Sequence, residues 1–304
     1  ARLESGQAEM LAGRLHQATG GNPFFILETL RGWIESGCAD ERLADLNAAG
    51  REWPLPDTIR AAVNSRLARL SSQARQVLEA GAVLGETFDF DAAHLTAGRQ
   101  ALETVDGLDE LVARQLLVEQ PPGDGASHFR FQHAIVREVV YRGLSTWRRR
   151  LLHRRAAEVL QKLRPNDAVI LAAHYENAGE PRLAAQYALR AGLAAKLVFA
   201  HVEGRAHFDH ALALLQQEAA SQQDADNHRL QIEALNGRGW VHRLLGDMEA
   251  FNRDSQAMAR LAAPLGDLRI MAQLHWREAY AHRWFCRYVE ARHAAETGLR
   301  LSQE

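Results

Sequence analysis

Proline punctuates this chain so sparsely that long stretches of it are free to be helical. Eight prolines occur in 304 residues, against 52 alanines. Alanine gives up no side-chain entropy in a helix, whereas an interior proline removes a hydrogen bond and clashes with the preceding turn. A mainly α fold is therefore expected. Hydrophobic residues make up 47% of the chain, enough for a sizeable core and too many for wholesale disorder.

The charges nearly cancel, at 36 basic against 38 acidic residues. That balance argues against a protein built to grip nucleic acid non-specifically. Of the basic residues 34 are Arg, and the two lysines are Lys162 and Lys196. A Walker A loop needs Lys followed by Ser or Thr after a glycine-rich turn. Here leucine follows each lysine, so the chain holds no P-loop. Cys38 and Cys286 are far apart and lack CxxC spacing, which reads as two free thiols in a reducing cytoplasm. No apolar run reaches the ~20 residues of a membrane span, and no signal-peptide pattern opens the chain. It starts Ala1-Arg2-Leu3-Glu4 rather than with Met, and is expected to be a piece of a longer protein.

Three regions emerge from the pattern of apolar residues and breakers. Residues 1–53 read as a short helical segment, broken at Gly20-Gly21-Asn22-Pro23, where Asn22 suits an N-cap and Pro23 a first helical position. After the break comes an apolar helix with Phe24, Phe25, Leu27, Leu30 and Ile34. Residues 54–145 read as a winged-helix unit. Asp57 opens a helix with Ile59, Val63, Leu67 and Leu70 on one stripe, and Ser71 or Ser72 opens the next. Shorter helices near 90–97 and 101–115 precede one β-hairpin, from residues 116–120 and 128–132. Residues 146–304 read as an α-solenoid of tetratricopeptide-like helical hairpins. The expected pairs cover 168–195, a shorter second pair over 196–217, then 228–265 and 268–303. Breaks at Gly179-Glu180-Pro181 and Gly246-Asp247 separate helices.

Several of these segments carry a resemblance. Residues 20–28, GGNPFFILE, resemble the GGNPFF segment of the bacterial signal-transduction ATPases with numerous domains, the STAND class. Leu55-Pro56-Asp57-Thr58-Ile59-Arg60, Arg66-Leu67 and the stretch from Ala80 to Phe88 resemble the start of that class's winged-helix domain. Phe131-Gln132-His133-Ala134 is similar to the segment bearing its sensor histidine. The region from Arg148 to His153 and the helical pairs resemble the part of LuxR-type transcriptional regulators that lies C-terminal to that histidine. The resemblance covers about residues 10–300, with its motifs in the family's order.

The resemblance implies a parent ATPase that binds ATP or ADP with Mg through Walker motifs upstream of the GGNPFF segment. It implies that Pro23, with Asn22 beside it, borders the adenine and that His133 reaches the β-phosphate of ADP, holding the molecule closed. Related proteins often have Asp after the histidine, where this chain has Ala134. Without the phosphate-cradling core, Asn22, Pro23 and His133 should bind nucleotide weakly or not at all.

Taken without the resemblance, the same residues read more plainly: Asn22-Pro23 is a helix start and His133 a capping or packing residue. The cluster Arg148, Arg149, Arg150, Arg154 and Arg155 could contact phosphates, or could be a solvated face paired to carboxylates such as Glu158. The loop over 121–127 carries Asp124 and no Arg or Lys, which suits DNA poorly. His201, His207 and His210 lack metal-ligand companions, and no nucleophile elbow occurs, so neither a metal nor a catalytic residue is expected. The last hairpin is rich in aromatic residues. Trp276, Tyr280 and Trp284 recur every four residues, with Arg277 and Arg283 between, as a recognition surface or as core between repeats.

The resulting expectation is a cytoplasmic, non-catalytic regulatory region of a STAND-type ATPase, in a transcriptional regulator. Its winged unit would act on the missing ATPase core in cis. Its repeats would receive a protein or small-molecule inducer, with no membrane partner and no DNA contact expected through this chain. The alternatives are a free-standing helical-repeat scaffold that binds peptides, and a winged-helix DNA-binding regulator.

Overall fold

The computed structural model describes residues 57–121, 128–217 and 225–303, together with scattered positions between 12 and 31. The chain is mainly α and divides into two compact units, Ala1–Val159 and Leu160–Glu304.

The first unit starts with α1, Asp57–Leu67, which buries Ile59, Val63 and Leu67 at the expected four-residue spacing. Leu70, expected on the same stripe, is only partly buried. Ser71 caps α2, Ser72–Leu84, its hydroxyl accepting a hydrogen bond from the Ala74 amide at 3.1 Å. Strand β1, Thr87–Asp89, then runs directly into α3, Phe90–Ala97, with the Asp89 carboxylate accepting from the Ala92 amide at 2.7 Å. A capping box between Gln100 and Glu103 starts α4, Ala101–Ala113. Strands β2, Leu117–Gln120, and β3, His128–Phe131, come next, and α5, Ala134–Gly143, closes the run.

The sheet is antiparallel with order β1-β3-β2, Phe88 opposite Phe129 and Leu117 opposite Phe131. The expected hairpin therefore gains a third strand. Three residues are too few to display an alternation of their own, and β1 exists because Phe88 packs beside Phe129 and Phe131. Ile59, Leu78, Leu111, Leu116, Phe131 and Val136 belong to one core beneath the sheet and helices. The next helix, α6, Thr146–Leu163, packs Leu152 and Ala156 against Val83 and Leu144.

The second unit is a run of helices: α7, Ala168–Ala178; α8, Pro181–Leu197; α9, His201–Gln217; α10, Ala225–Leu244; α11, Met248–Ala262; α12, Leu268–Trp284; and α13, Tyr288–Leu301. Each packs on its sequence neighbours, and α8 also packs on α10, as stacked helical hairpins require. One expectation is corrected. The short pair expected over 196–217 does not form: α8 runs to Leu197 and His201–Gln217 is a single helix. The break falls earlier, where Phe199 adopts a φ of +60°, and no turn residue interrupts the chain from there to Gln217.

Phe208 of α9 shows how these helices are held. Its side chain is fully buried, and its ring fills the space that a side chain on Gly192 of α8 or Gly237 of α10 would need. A Cβ would stand 2.7 Å from the ring at Gly192 and 2.4 Å at Gly237, so the aromatic knob and the two bare backbones form one fitted contact. Phe208→Ala should cost roughly 3–5 kcal/mol through the cavity it leaves, and Gly237→Ala roughly 1–3 kcal/mol through overpacking. Urea unfolding of the two variants reads both.

His174 lies buried in α7, and burial holds its pKa down to about 4. An unfolded histidine titrates near 6.5, so between pH 6.5 and 4 the unfolded chain binds the extra proton. Stability contributed by this group is complete above pH 6.5 and declines as pH falls, by up to about 3 kcal/mol. Urea midpoints at pH 7 and pH 4.5 should differ, and His174→Gln should narrow the difference.

Candidate functional site

Strand β3 hands the chain to α5 through Gln132 and His133. The Gln132 amide donates to the Leu116 carbonyl at 3.0 Å, which keeps the strand edge in register up to the turn. His133 occupies the N-cap position of α5 in an extended conformation, φ −139° and ψ 132°, but its side chain makes no capping bond. Its imidazole is therefore not spent on the helix end, as an ordinary N-cap side chain would be.

Phe25 packs against that imidazole instead. The rings meet edge to face, with centroids 5.5 Å apart and an interplanar angle of 83°. Phe25 is itself buried in the core of the first unit. Two segments far apart in sequence, the one around Pro23 and the one around His133, thus meet at the amino end of α5. Pro23 is helical and exposed two residues ahead of Phe25, and Asn22 lies outside the described residues. Gly21, with φ +73°, turns the chain into that helix, its amide donating to the His16 carbonyl at 3.2 Å.

The electrostatics of this corner favour an anion. Nδ1 of His133 is buried and has no hydrogen-bond partner among the described residues. Burial, and then the positive charges of Arg66 and Arg130, hold the His133 pKa below its ordinary value, so the ring is neutral at pH 7. Arg66 is fixed by donating to the Arg114 carbonyl at 2.8 Å. A neutral imidazole, two guanidinium groups and the positive end of a helix dipole suit one phosphate group. Sequence reasoning singled out Pro23 and His133. It counted Phe25 as helix core and missed Arg130, because nothing in the spacing brings strand β3 to α1.

The Arg-rich start of α6 is largely a solvated face with carboxylate partners, and Arg149 packs on Tyr141. Arg148 bonds Glu79 at 2.6 Å and Arg154 bonds Glu158 at 3.2 Å. Arg149 lies over the Tyr141 ring at 4.7 Å and donates to the Tyr141 and Leu144 carbonyls. Helix α4 carries Glu103, Asp106, Asp109 and Glu110 and no Arg or Lys. Most of the loop over 121–127 lies outside the described residues. Of the candidate metal histidines, His210 pairs with Glu176 at 3.0 Å. Among the described residues, no group of three His, Cys, Asp or Glu is placed to hold a metal, and no helix is long and apolar enough to cross a membrane. Cys286 is a free, exposed thiol, and Cys38 lies outside the described residues.

The aromatic face of α12 divides. Trp276 and Trp284 are each about half exposed, and Trp276 stacks on Tyr280 with centroids 5.8 Å apart. Arg283 is exposed, its guanidinium 5.4 Å from the Tyr280 ring centre. Arg277, expected on the same recognition surface, is instead buried at 2% exposure. It points into the repeat core, over the Phe251 ring at 4.3 Å, and donates to Ser255 at 2.8 Å, Asn236 at 3.2 Å and the Phe251 carbonyl at 3.4 Å. Residues one position apart on a helix face about 100° apart, so a neighbour of Trp276 need not share its face. Burial lowers the Arg277 pKa to about 10, leaving it charged at pH 7.

No protein-family model matches the chain, and no curated protein does. Among solved structures it is similar to a signal-transduction ATPase with numerous domains that carries a tetratricopeptide repeat sensor, from Pyrococcus horikoshii. The identity is 14% and the TM-score 0.44, over 97% of this chain and 45% of that one. The chain thus spans less than half the length of that protein.

The buried guanidinium can be tested through Gly239, where a Cβ would stand 2.1 Å from Arg277 Nη2. Gly239→Ala should cost roughly 2 kcal/mol by driving Arg277 from its bonds, and much less in an Arg277→Ala background. A urea double-mutant cycle should return a coupling of at least about 1 kcal/mol.

Proposed function

We propose that this chain is the non-catalytic regulatory and interaction region of a STAND-type ATPase, in a protein that regulates transcription. On this reading the first unit is the winged-helix element that closes on bound nucleotide, and the helical repeats receive a partner or inducer whose binding releases that closure. The helix–strand–helix–helix–strand–strand order of the first unit supports the winged-helix reading. The acidic α4 speaks against DNA as its ligand, because like charge repels the phosphate backbone.

The observation that carries the proposal is the seating of Phe25 on His133, with the imidazole Nδ1 left unbonded in a field set by Arg66 and Arg130. These residues fit one phosphate contact and fall short of a whole nucleotide site, since the chain contains no P-loop. ATP or ADP with Mg would be bound by the ATPase core of the parent. His133 would add a donor at the phosphates, and Pro23 would lie on the adenine side. Such an arrangement makes His133 a reporter, because the anion stabilises the protonated ring and its loss returns the ring to the neutral form.

Titration calorimetry of the isolated chain with ADP and with MgATP should show no micromolar binding, and micromolar binding would mean that a complete site resides here. NMR titration of the histidine ring protons supplies the positive arm. Inorganic pyrophosphate at millimolar concentration should raise the pKa of His133 toward and above the ordinary histidine value. The other histidines should respond less, and Arg130→Ala should weaken the rise. A His133 resonance indifferent to pyrophosphate overturns the phosphate-sensing role.

A further inference from the structure

Between α11 and α12, within the second unit alone, lies a cavity of about 540 Å³. That volume falls in the ~300–1,000 Å³ range of small-molecule sites. Its walls follow one stripe of each helix: Asn252, Ser255 and Ala259 of α11 and Leu274, Arg277 and Ala281 of α12, both at i, i+3, i+7 spacing. The two ends differ in polarity. Ala259, Met271 and Leu274, the lining residues nearest in sequence to the turn that joins the helices, are all apolar. Asn252, His282 and Arg287, towards the far end, are polar.

Arg277 borders this cavity about midway along its α12 wall, almost wholly shielded from water. It gives its hydrogen bonds to Ser255, Asn236 and the Phe251 carbonyl, all neutral acceptors, and a guanidinium has five N–H groups to give. Asp254, whose field reaches it, spends both oxygens on Arg238. A buried cation bonded to no carboxylate is costly to hold, and an anion beside it would be gripped by a field that water screens poorly. Glu278 is the one carboxylate of the lining, and imidazoles flank it, His275 Nδ1 at 3.2 Å and His282 Nε2 at 3.7 Å. Two guanidinium groups, Arg277 and Arg287, against that one carboxylate leave the lining net positive.

We propose that this cavity binds a small organic acid, its carboxylate against Arg277 and its apolar body over Leu274, Met271 and Ala259. The inference rests on the reading that the helical repeats receive an inducer, and it gives that inducer a chemistry. The buried guanidinium selects an anion through a charge-assisted bond, with the Asn252 carboxamide as a neutral donor on the facing wall. The apolar end selects against a small inorganic anion, which would leave that surface in contact with water.

Octanoate and phenylpropionate serve as probes, each beside its neutral amide. Titration calorimetry of the full chain should show both acids binding, and the amides at least about tenfold weaker, the loss expected when a bond to a charged group becomes a neutral one. The ring protons of His275 and His282 should shift with the acids while those of His133 stay still, and pyrophosphate should do the reverse. The two experiments therefore fail separately, and an empty cavity leaves the phosphate-sensing role of His133 untouched. Arg277→Gln should abolish the preference for acid over amide. Should that variant unfold, Ala259→Trp carries the test. Its position is exposed, so the chain should stay folded by circular dichroism, and the indole should fill the apolar end and weaken both acids at least about tenfold. Acids that fail to bind at millimolar concentration overturn the assignment, as does acid binding that Ala259→Trp leaves unchanged. Amides that bind as well as the acids and move the same two histidines overturn the carboxylate, and leave the repeats as the receiving surface.

Discussion

A helix of about fifteen residues with one apolar stripe is not stable alone in water, and two such helices in a hairpin still leave a face uncovered. The whole second unit is an answer to that constraint. Every helix from α7 to α13 packs on its sequence neighbours, and α8 reaches past α9 to α10. Close approach is what makes this stacking worth its cost, and it is concentrated where Phe208 enters between Gly192 and Gly237. The bare backbones admit the ring, and the ring ties three helices together at one point. The many alanines answer the same demand. Ala184, Ala185, Ala188 and Ala191 are all buried in α8, where larger side chains would hold the neighbouring helices apart.

Inside this stack the protein buries charge as well as hydrocarbon. Arg238 of α10 reaches Asp209 of α9 at 2.7 Å and Asp254 of α11 at 2.6 Å, joining three consecutive helices through one guanidinium. Asp254 is nearly fully buried, and the two bonds from Arg238 satisfy both its oxygens. Arg277 is a different case. Its hydrogen bonds go to neutral acceptors and its cation rests on an aromatic face, so burial lowers its pKa with only distant Asp254 opposing. Buried ions of this kind add little net stability but penalise any register in which they lose their partners. That penalty is how a stack of similar hairpins can specify which helix lies beside which.

Much of this was legible in the sequence, and the boundary of legibility is physical. Apolar spacing located α1 through its Ile59, Val63 and Leu67 stripe, Ser71 was readable as a cap, and Gly179-Glu180-Pro181 as a break, because each is a local signal with a local cause. Strand β1 was missed, since its existence depends on Phe129 across the sheet. The 196–217 stretch was read as a short pair because the turn that falls inside it is made by Phe199 at positive φ, a conformation that side chains rarely adopt and that composition does not announce. Arg277 was misplaced for a related reason. Its burial is permitted by Gly239, on another helix, and no pattern within α12 reveals that vacancy. At the candidate site, the motif residues Pro23 and His133 were readable, but their meeting through Phe25 and the flanking Arg66 and Arg130 is a property of the tertiary structure.

Charge is unevenly distributed over the first unit. Helix α4 presents Glu103, Asp106, Asp109 and Glu110, while positive charge is gathered elsewhere, at Arg66 and Arg130 beside the amino end of α5. A phosphate near α4 would be repelled across a low-dielectric apolar floor, and the same phosphate near His133 would meet two guanidinium groups and unsatisfied helix amides. The two ends of this unit thus differ in the field they present to an anion.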